Sequence, residues 1–337
     1  MPLQGGTVQA GPPRLPSPSL RSRGLASQAM SEADARWKRP SVRVQTVLYE
    51  NAAHDVVRFV AGMSAACAHA LGSGSITSAE LAIGDASGAP VVGSVEELMA
   101  EGPGPFDEVT YVHFGANLGS AGGQNRLFAA SAAGAVLVVN PDTYASPHLV
   151  SELVAALEDP TVGIVEARQL PLEHPKAHDP VTGDVSWASG SCLLVRAAVI
   201  EATGGFDADL FFLHGDDVDF SWRTRLAGWR VVHRPTARIF HDKRLDERAV
   251  IRVSEREREQ SALASVLLPW RYSRQDLALE RLEQLEAADD EISRTVAEEL
   301  RARVEAGSMP LPIDPDHVVG EFVGGEYAHH RFSYAST

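Results

Sequence analysis

Three carboxylates within four residues form the most distinctive chemical group in the sequence. Asp216, Asp217 and Asp219 open a predicted helix that has apolar residues at every fourth position. The helix dipole favours carboxylates at a helix start, so capping alone could explain them. Mutual repulsion and partial burial would instead raise the pKa of one of them toward a value suited to a general base. Asp219 can also pair with Arg223 one turn further on, which would make it structural.

Asp142 and His241 are the residues best placed to hold a divalent cation. Asp142 ends the tripeptide Asn140-Pro141-Asp142, which follows an apolar run over 135–139 that is typical of a buried strand. A carboxylate at that edge of a sheet suits Mg²⁺ or Mn²⁺, which take oxygen ligands from protein, substrate phosphates and water. His241 ends a second predicted strand, and a neutral imidazole can join a carboxylate around a metal. Alternatively, Asn-Pro-Asp is plain turn chemistry, and a single histidine is more often a satisfied polar residue.

The stretch 117–126 is rich in glycine and leads from a predicted strand into a helix. Glycines there let the backbone approach a ligand closely, and a helix N-terminus favours an anion. The stretch lacks the Gly-Lys-Ser/Thr sequence of a Walker phosphate loop and does not match the glycine spacing of dinucleotide-binding folds. By itself it is weak evidence for an anion site.

Length and composition indicate a folded protein with one large domain. The chain has 337 residues, of which 44% are hydrophobic and 22% charged, close to ordinary globular usage. The net charge of −15 disfavours nucleic acid as a partner, because an acidic surface repels phosphates. An anionic substrate would need a local cation or backbone N–H groups. Two distant cysteines, no apolar run of about 20 residues and no secretory signal predict a soluble cytoplasmic protein.

Alternating strands and helices predict an α/β fold with a mostly parallel sheet. Apolar runs predict strands at 43–49, 79–83, 108–113, 135–139 and 191–196, and two short strands around Pro235. Helical patterns lie near 53–71, 94–101, 122–133 and 146–157. Ligands of such sheets bind at the carboxyl ends of the strands, so the candidate residues should gather there.

Changes in composition predict the domain boundaries. The predicted units are a disordered segment over 1–40, the main domain over 41–250, a helical extension over 251–307 and an extended tail over 308–337. The first segment is rich in Pro, Gly and Ser and cannot form a core, although a transit segment or untranslated sequence ahead of Met30 would look similar. The extension contains charged helical patterns near 252–267 and 275–306. These helices would pack on the main domain or on a second subunit, which makes a homo-oligomer one option.

The order of these segments resembles family 2 glycosyltransferases with the GT-A fold, and especially their rhamnosyltransferase-like branch. The matching segments are 47–51, 83–87, 117–126, 140–142, 187–190, 204–207, 211–223 and 235–241. The resemblance covers roughly residues 42–243 and rests on the combination, since each segment alone is unspecific. It implies a GT-A fold, which is Rossmann-like with a mostly parallel sheet flanked by helices, followed here by the C-terminal helices.

The resemblance implies a site for a nucleoside-diphosphate sugar. In the family the first two matching segments hold the nucleoside, which makes Asn51 and Asp85 candidates for base and ribose contacts. Gly84-Asp85 departs from the Asp-Asn that family members usually have there. The further implied donor contacts are Asn117, Gly119, Gly122, Asn125 and Asn140. Asn140 replaces the first Asp of the family's acidic metal motif, so the resemblance implies Asp142 as the main ligand of Mg²⁺ or Mn²⁺ and His241 as the second.

The resemblance also implies the catalytic residues. Asp216-Asp217 stands where the family has a Glu-Asp pair, so Asp217 is the implied base that takes the proton of the acceptor hydroxyl. The reaction would invert the anomeric carbon in one step, and the metal would offset charge on the leaving diphosphate. Trp187, Ser189 and Gly190 are candidates for acceptor contacts, although Trp187 could equally be a core residue.

These features predict an inverting, metal-dependent glycosyltransferase that acts on a glycan or lipid-linked acceptor, in the cytoplasm or at the inner face of the membrane. By branch resemblance dTDP-rhamnose is the first expectation for the donor, and UDP-sugars are the next. A catalytically degenerate sugar-nucleotide-binding or scaffold protein is one alternative, suggested by the departures at Gly84 and Asn140. A nucleotidyltransferase is another, but the segment after the first strand lacks the glycine-rich, basic triphosphate loop it would need.

Overall fold

The computed structural model describes residues 39–99, 104–243 and 253–328. The predicted disordered segment over 1–40 lies outside these ranges except for residues 39 and 40. Within them one eight-stranded sheet organises the chain. Its strands are β1 (Ser41–Leu48), β2 (Ser78–Asp85), β3 (Glu108–His113), β4 (Ala135–Val139), β5 (Thr143–Ala145), β6 (Val162–Leu170), β7 (Cys192–Arg196) and β8 (Arg230–His241).

The sheet is mostly parallel, which confirms the predicted α/β class. Its spatial order is β3-β2-β1-β4-β7-β6-β8-β5. β7 runs antiparallel to both of its neighbours, β4 and β6, and β5 runs antiparallel to β8 at one edge. The other neighbouring strands pair in parallel. Every residue of β4 is buried, as expected for an apolar strand that is covered on both faces.

Helices cover both faces of this sheet. They are α1 (Ala53–Gly72), α2 (Val95–Leu98), α3 (Gly119–Phe128), α4 (Leu149–Ala156), α5 (Ala197–Thr203), α6 (Asp216–Leu226), α7 (Glu255–Arg271), α8 (Gln275–Glu286) and α9 (Glu291–Glu305). One core cluster joins α1 and α4 to one face of the sheet, and another joins α3, α5 and α6 to the opposite face. Among the described residues, no helix is long and apolar enough to span a membrane.

β6 is absent from the sequence-based strand predictions. Gly163 and the charged Glu166 interrupt its apolar pattern, yet Glu166 is only 2% exposed. Gly163 is needed because a Cβ there would lie 2.7 Å from Cγ2 of Val199 on α5. Packing against α5 therefore explains why Gly163 lies in β6, although glycine in a sequence counts against a strand.

The prediction of two short strands around Pro235 is wrong, because β8 is a single strand of 12 residues. Its pairing with β6 shifts at this point: Ala167 faces Arg234, and the next residue of β6 faces Arg238. Pro235 thus lies in a bulge, where its missing N–H removes no ladder hydrogen bond.

The single helix predicted over 275–306 is also wrong, because the chain forms α8 and α9 there. Asp290 separates them by capping α9, and its Oδ1 accepts a hydrogen bond from the N–H of Ser293 at 3.0 Å. The pattern near 94–101 gives only the four-residue α2. The helix predicted over 122–133 begins and ends earlier, as α3.

A further core cluster packs α7, α8 and α9 against α6. At its centre the rings of Trp222 and Tyr272 meet edge to face, with centroids 4.6 Å apart. The chain after α9 has no helix and only an isolated bridge over its described part, but it folds back onto this cluster. Asp314, which is 1% exposed, holds it by accepting hydrogen bonds from the backbone N–H groups of residues 318, 319 and 320.

Phe114 occupies the space in which a side chain at position 84 would lie. A Cβ on Gly84 would be 2.2 Å from Cζ of Phe114, and this ring is itself packed against Leu127 and Ala86. Gly84, one of the departures noted in the sequence, therefore leaves room for the ring of Phe114.

We expect Gly84→Ala to lower the free energy of unfolding by about 1–3 kcal/mol, because overpacking a filled core costs that much. Gly88→Ala is the matched control, since nothing lies within 4 Å of its added Cβ. Urea unfolding followed by circular dichroism measures both variants. Equal losses at the two positions would contradict the packing explanation.

Candidate active site

The loop over 187–191 joins the two groups of candidate residues. Because β7 runs antiparallel to β4, its start lies beside the end of β4, and Asn140 N donates to Ser191 O at 3.0 Å. On the other side of the loop, Gly190 N donates to Oδ2 of Asp217 at 2.8 Å. The segment with Asp142 and the start of α6 are thus connected through consecutive loop residues.

Asp142 and His241 are brought together by the pairing of β5 with β8, in which Thr143 faces His241. Oδ1 of Asp142 lies 3.2 Å from Nε2 of His241. On the other side of the ring, Nδ1 lies 3.2 Å from Oε1 of Gln169, which also accepts from Nζ of Lys243 at 3.2 Å. The amide oxygen can accept a proton from Nδ1, and in that tautomer the Nε2 lone pair would be available to a cation held together with Asp142.

This pair fits a cation that is shared with a substrate. Among residues 39–99, 104–243 and 253–328, no group of three or more His, Cys, Asp or Glu side chains could hold a metal alone. Cations bound with substrate phosphates use few protein ligands and take the rest from phosphate oxygens and water. The imidazole suits Mn²⁺ better than Mg²⁺, which prefers oxygen.

Asp216 and Asp217 differ in protonation. Burial and the neighbouring Asp217 carboxylate raise the pKa of Asp216 to about 8. Burial also raises the pKa of Asp217, but the Gly190 N–H and the positive charge of Lys176 oppose that rise. Asp216 is buried, whereas Asp217 is partly exposed. These shifts favour a proton shared by the pair on the side of Asp216 and make Asp217 the more readily ionised carboxylate, as a general base requires.

Asp219 has the structural role that its spacing from Arg223 predicts. It is fully buried, and its Oδ2 lies 2.6 Å from Nε of Arg223. The hydroxyl of Tyr272 donates to its Oδ1 at 2.9 Å. Asp219 thus ties α6 to α7 and its following turn.

A buried ionic group, which the sequence did not predict, contacts the loop over 187–191. Oε1 of Glu166 lies 2.7 Å from Nζ of Lys176, and its Oε2 lies 3.3 Å from Nδ1 of His233. Burial alone would raise the pKa of Glu166, but the charge of Lys176 and the hydrogen bond with His233 hold it below its usual range. The signal for Glu166 was a carboxylate inside an apolar run, whereas nothing in the sequence marks Lys176.

Trp187 is a core residue, which corrects the expectation that its ring face meets an acceptor. The ring is 1% exposed, and Nζ of Lys176 lies 3.7 Å from its centroid. Its Nε1 donates to the carbonyl oxygen of Tyr327 at 3.1 Å. Ser189, 2% exposed, is buried too, whereas Gly190 is partly exposed beside Asp217.

Asn51 and Asp85 shape the loops after β1 and β2. Oδ1 of Asn51 accepts from Tyr49 N at 2.9 Å. Asp85 is fully buried and accepts from Ser87 N at 2.9 Å, from Val91 N at 2.7 Å and from the hydroxyl of Tyr111. Burial would raise the pKa of Asp85, but these hydrogen bonds lower it below its usual value. In this structure Asp85 has no exposed surface for a nucleoside, and a contact there would require the loop to open.

The glycine-rich stretch is explained mainly by packing. A Cβ on Gly119, where φ is +69°, would lie 2.3 Å from Phe212 O, and Oδ1 of Asn117 accepts from Gly119 N at 3.0 Å. Asn125 binds both backbone groups of Phe206, at 2.7 Å and 2.9 Å. Asn125 thus ties α3 to the segment after α5, and the donor contact expected of it stays a prediction. Gly122 packs against α3 itself, with Leu118 Cβ 3.3 Å from its added Cβ.

Known proteins were compared with the chain in sequence and structure. An N-acetylglucosaminyl-diphospho-decaprenol L-rhamnosyltransferase of Mycobacterium tuberculosis is 43% identical over 65 residues, 19% of this chain and 21% of that protein. A pre-mycofactocin glycosyltransferase of the same organism is 28% identical over 160 residues, 42% of this chain and 34% of that protein. The chain therefore matches between a fifth and a third of the length of these relatives. No family model matches it.

A solved mannosyltransferase from Pyrobaculum calidifontis, in complex with GDP-Man and Mn²⁺, has a similar fold. The TM-score is 0.52 at 14% identity, and the match covers 89% of this chain and 94% of the other. The structural match shows that the chain shares the fold of a glycosyltransferase, and the sequence matches show that parts of it are similar to glycosyltransferases. Within that class, the sequence match supports the rhamnosyltransferase-like branch.

Asp216→Asn tests the protonation of the carboxylate pair through stability. Folding raises the pKa of Asp216 from 3.8 to about 8, so the folded state holds the proton more tightly. That stabilisation is complete below pH 3.8 and is lost as pH rises toward about 8. Relative to the native chain, we expect the variant to gain at least about 1 kcal/mol between pH 5 and pH 8.

Urea unfolding at the two pH values, with a chelator present, measures this gain. Asp289→Asn is the control, because Asp289 is an exposed residue between α8 and α9. A stability difference between Asp216→Asn and the native chain that stays constant with pH would contradict a protonated Asp216.

Proposed function

We propose that the protein is an inverting, metal-dependent glycosyltransferase. The observation that carries the proposal is the connection of Asp142 and His241, through the loop over 187–191, to the partly exposed Asp217 at the start of α6. Leaving-group stabilisation and base catalysis need two such groups on opposite sides of a reacting carbon. The relatives support the same class of reaction.

In the proposed reaction Asp217 accepts the proton of the acceptor hydroxyl as that oxygen attacks the anomeric carbon of the donor. The bond from this carbon to the diphosphate oxygen breaks on the opposite face, so the configuration inverts. Asp142 and His241 would hold Mn²⁺ or Mg²⁺, which supplies charge stabilisation for the diphosphate. Gly190 N, 2.8 Å from Oδ2 of Asp217, keeps that carboxylate oriented during the transfer. Asp216 keeps its own proton and limits repulsion within the pair.

For the donor we propose dTDP-rhamnose, on the 43% identity to a rhamnosyltransferase. That relative's name includes a diphospho-decaprenol substrate, so we propose a lipid-linked glycan as the acceptor class. An acceptor with a lipid anchor would bring the protein to a membrane surface, and we propose that this is the inner face. Asn51 and Asn140 remain the proposed donor contacts, together with the exposed Asn117 at the start of the glycine-rich stretch.

We expect Mn²⁺ and dTDP together, but neither alone, to raise the melting temperature. A ligand at a hundredfold excess over its Kd stabilises by about 2.7 kcal/mol. Asp142→Ala should lose the joint effect, because it removes the carboxylate ligand, whereas Asp289→Ala should keep it. UDP and GDP are tested in parallel. An equal shift with chelator present would contradict the metal site, and no shift with any nucleotide would favour a degenerate, non-catalytic protein.

Asp217→Asn should lower turnover of donor and acceptor by at least about a hundredfold, since the amide cannot accept the proton. Binding of Mn²⁺ and nucleotide should persist, because that site lies on the other side of the loop over 187–191. Initial rates with a synthetic lipid-linked acceptor measure the first effect, and thermal shift measures the second. Asp289→Asn serves as the control for both. Retained turnover in Asp217→Asn would exclude this residue as the base.

A further inference from the structure

The side chains of Lys176 and Glu166 bind the backbone at the two ends of the segment 187–189. Nζ of Lys176 donates to the carbonyl oxygen of Trp187 at 2.7 Å. Oε1 of Glu166 accepts from Ser189 N at 2.8 Å and also from Nζ of Lys176 at 2.7 Å. One ion pair thus binds a backbone acceptor and a backbone donor that are two residues apart.

The next two residues transmit this constraint to the candidate site. Gly190 N donates to Oδ2 of Asp217 at 2.8 Å, and Ser191 O accepts from Asn140 N at 3.0 Å. Any displacement of the segment held by Glu166 and Lys176 would therefore move the group that orients Asp217. The same displacement would alter the contact with the segment that contains Asp142.

The ion pair is too deeply buried to be a surface feature. The side chains of Lys176 and Glu166 are 10% and 3% exposed. Burial of two charges is favourable only when their remaining hydrogen bonds are satisfied, and replacement by apolar residues often stabilises a protein. Here the ring of Trp187, Ser189 N and His233 complete the surroundings. Because stability alone does not favour such a pair, its contacts with the loop beside Asp217 point to a further role.

We propose that Lys176 and Glu166 are positioning residues for Asp217. They fix the backbone that presents Gly190 N to its carboxylate, and Lys176 contributes a positive charge near it. As an account of catalysis this rests on the proposed function, but the orientation and ionisation of Asp217 can be measured without turnover. The charged groups that face Asp217 are Asp216, His214 and Lys176.

Removal of the Lys176 charge should change the pKa of Asp217 in a defined direction. Burial raises the pKa of Asp217, and Lys176 is one of the groups that oppose this rise. Lys176→Met should therefore move the Asp217 titration midpoint upward, by about half a unit or more. If the protein turns over, the acidic limb of its kcat/KM profile should move in the same direction. A purely structural residue would change stability without this directed shift.

Carbon-13 NMR of aspartate carboxyl groups, recorded against pH in chelator, measures the midpoint, and Asp217→Asn identifies the resonance. Lys176→Arg, which keeps the charge, should keep the native midpoint. Arg294→Met is the control, because it removes a positive charge from an exposed position on α9. If Lys176→Met does not fold, the double variant Glu166→Gln/Lys176→Met carries the comparison, since it leaves no buried charge alone.

Kinetics complete the test. Lys176→Met should lower kcat about tenfold or more, because misplacement of a base acts on the chemical step, while KM for the donor stays constant. An unchanged midpoint and an unchanged kcat, in a native protein that turns over, would overturn the positioning role and leave the proposed function intact. A shifted midpoint in a native protein without turnover would support the positioning role while the proposed function fails.

Discussion

The antiparallel pairing of β7 with β4 is the constraint on which the candidate site depends. It brings the start of β7 to the end of β4, so that Ser191 meets Asn140 at the carboxyl edge of the sheet. Had β7 been parallel, the loop before it would lie at the opposite edge, and Gly190 could not reach Asp217. In a mostly parallel sheet, the reversed strand β7 thus connects the two parts of the candidate site.

Charge balance limits how many ionised carboxylates this acidic chain can hold at the candidate site. Asp216 and Asp217 lie together at the start of α6, and burial makes two ionised carboxylates costly. The proton on Asp216, the Gly190 N–H and the charge of Lys176 all reduce that cost. The same arrangement favours the ionised form of Asp217, which is partly exposed. Stability and the proposed reactivity therefore depend on the same few contacts.

Several residues that resemble ligand contacts serve packing in this structure. Asn125 binds the backbone of Phe206, Gly119 accommodates Phe212, and Trp187 belongs to the core of the C-terminal helices. Their positions beside the site follow from the need to hold α3 and the loop over 187–191 in place. Motif resemblance by itself therefore does not separate side chains that could touch a substrate from those that pack beside the candidate site.

The sequence by itself determined the α/β class and the positions of most strands, because apolar runs of strand length survive without tertiary context. It also singled out Asp142, His241 and the pair at the start of α6, since carboxylates after a strand or at a helix start are visible locally. It could not reveal β6, whose Glu166 pairs with Lys176, ten residues away in sequence, and contacts the distant His233. Only the tertiary structure decided which carboxylate keeps its proton and which glycines serve packing, because burial and distant partners set both.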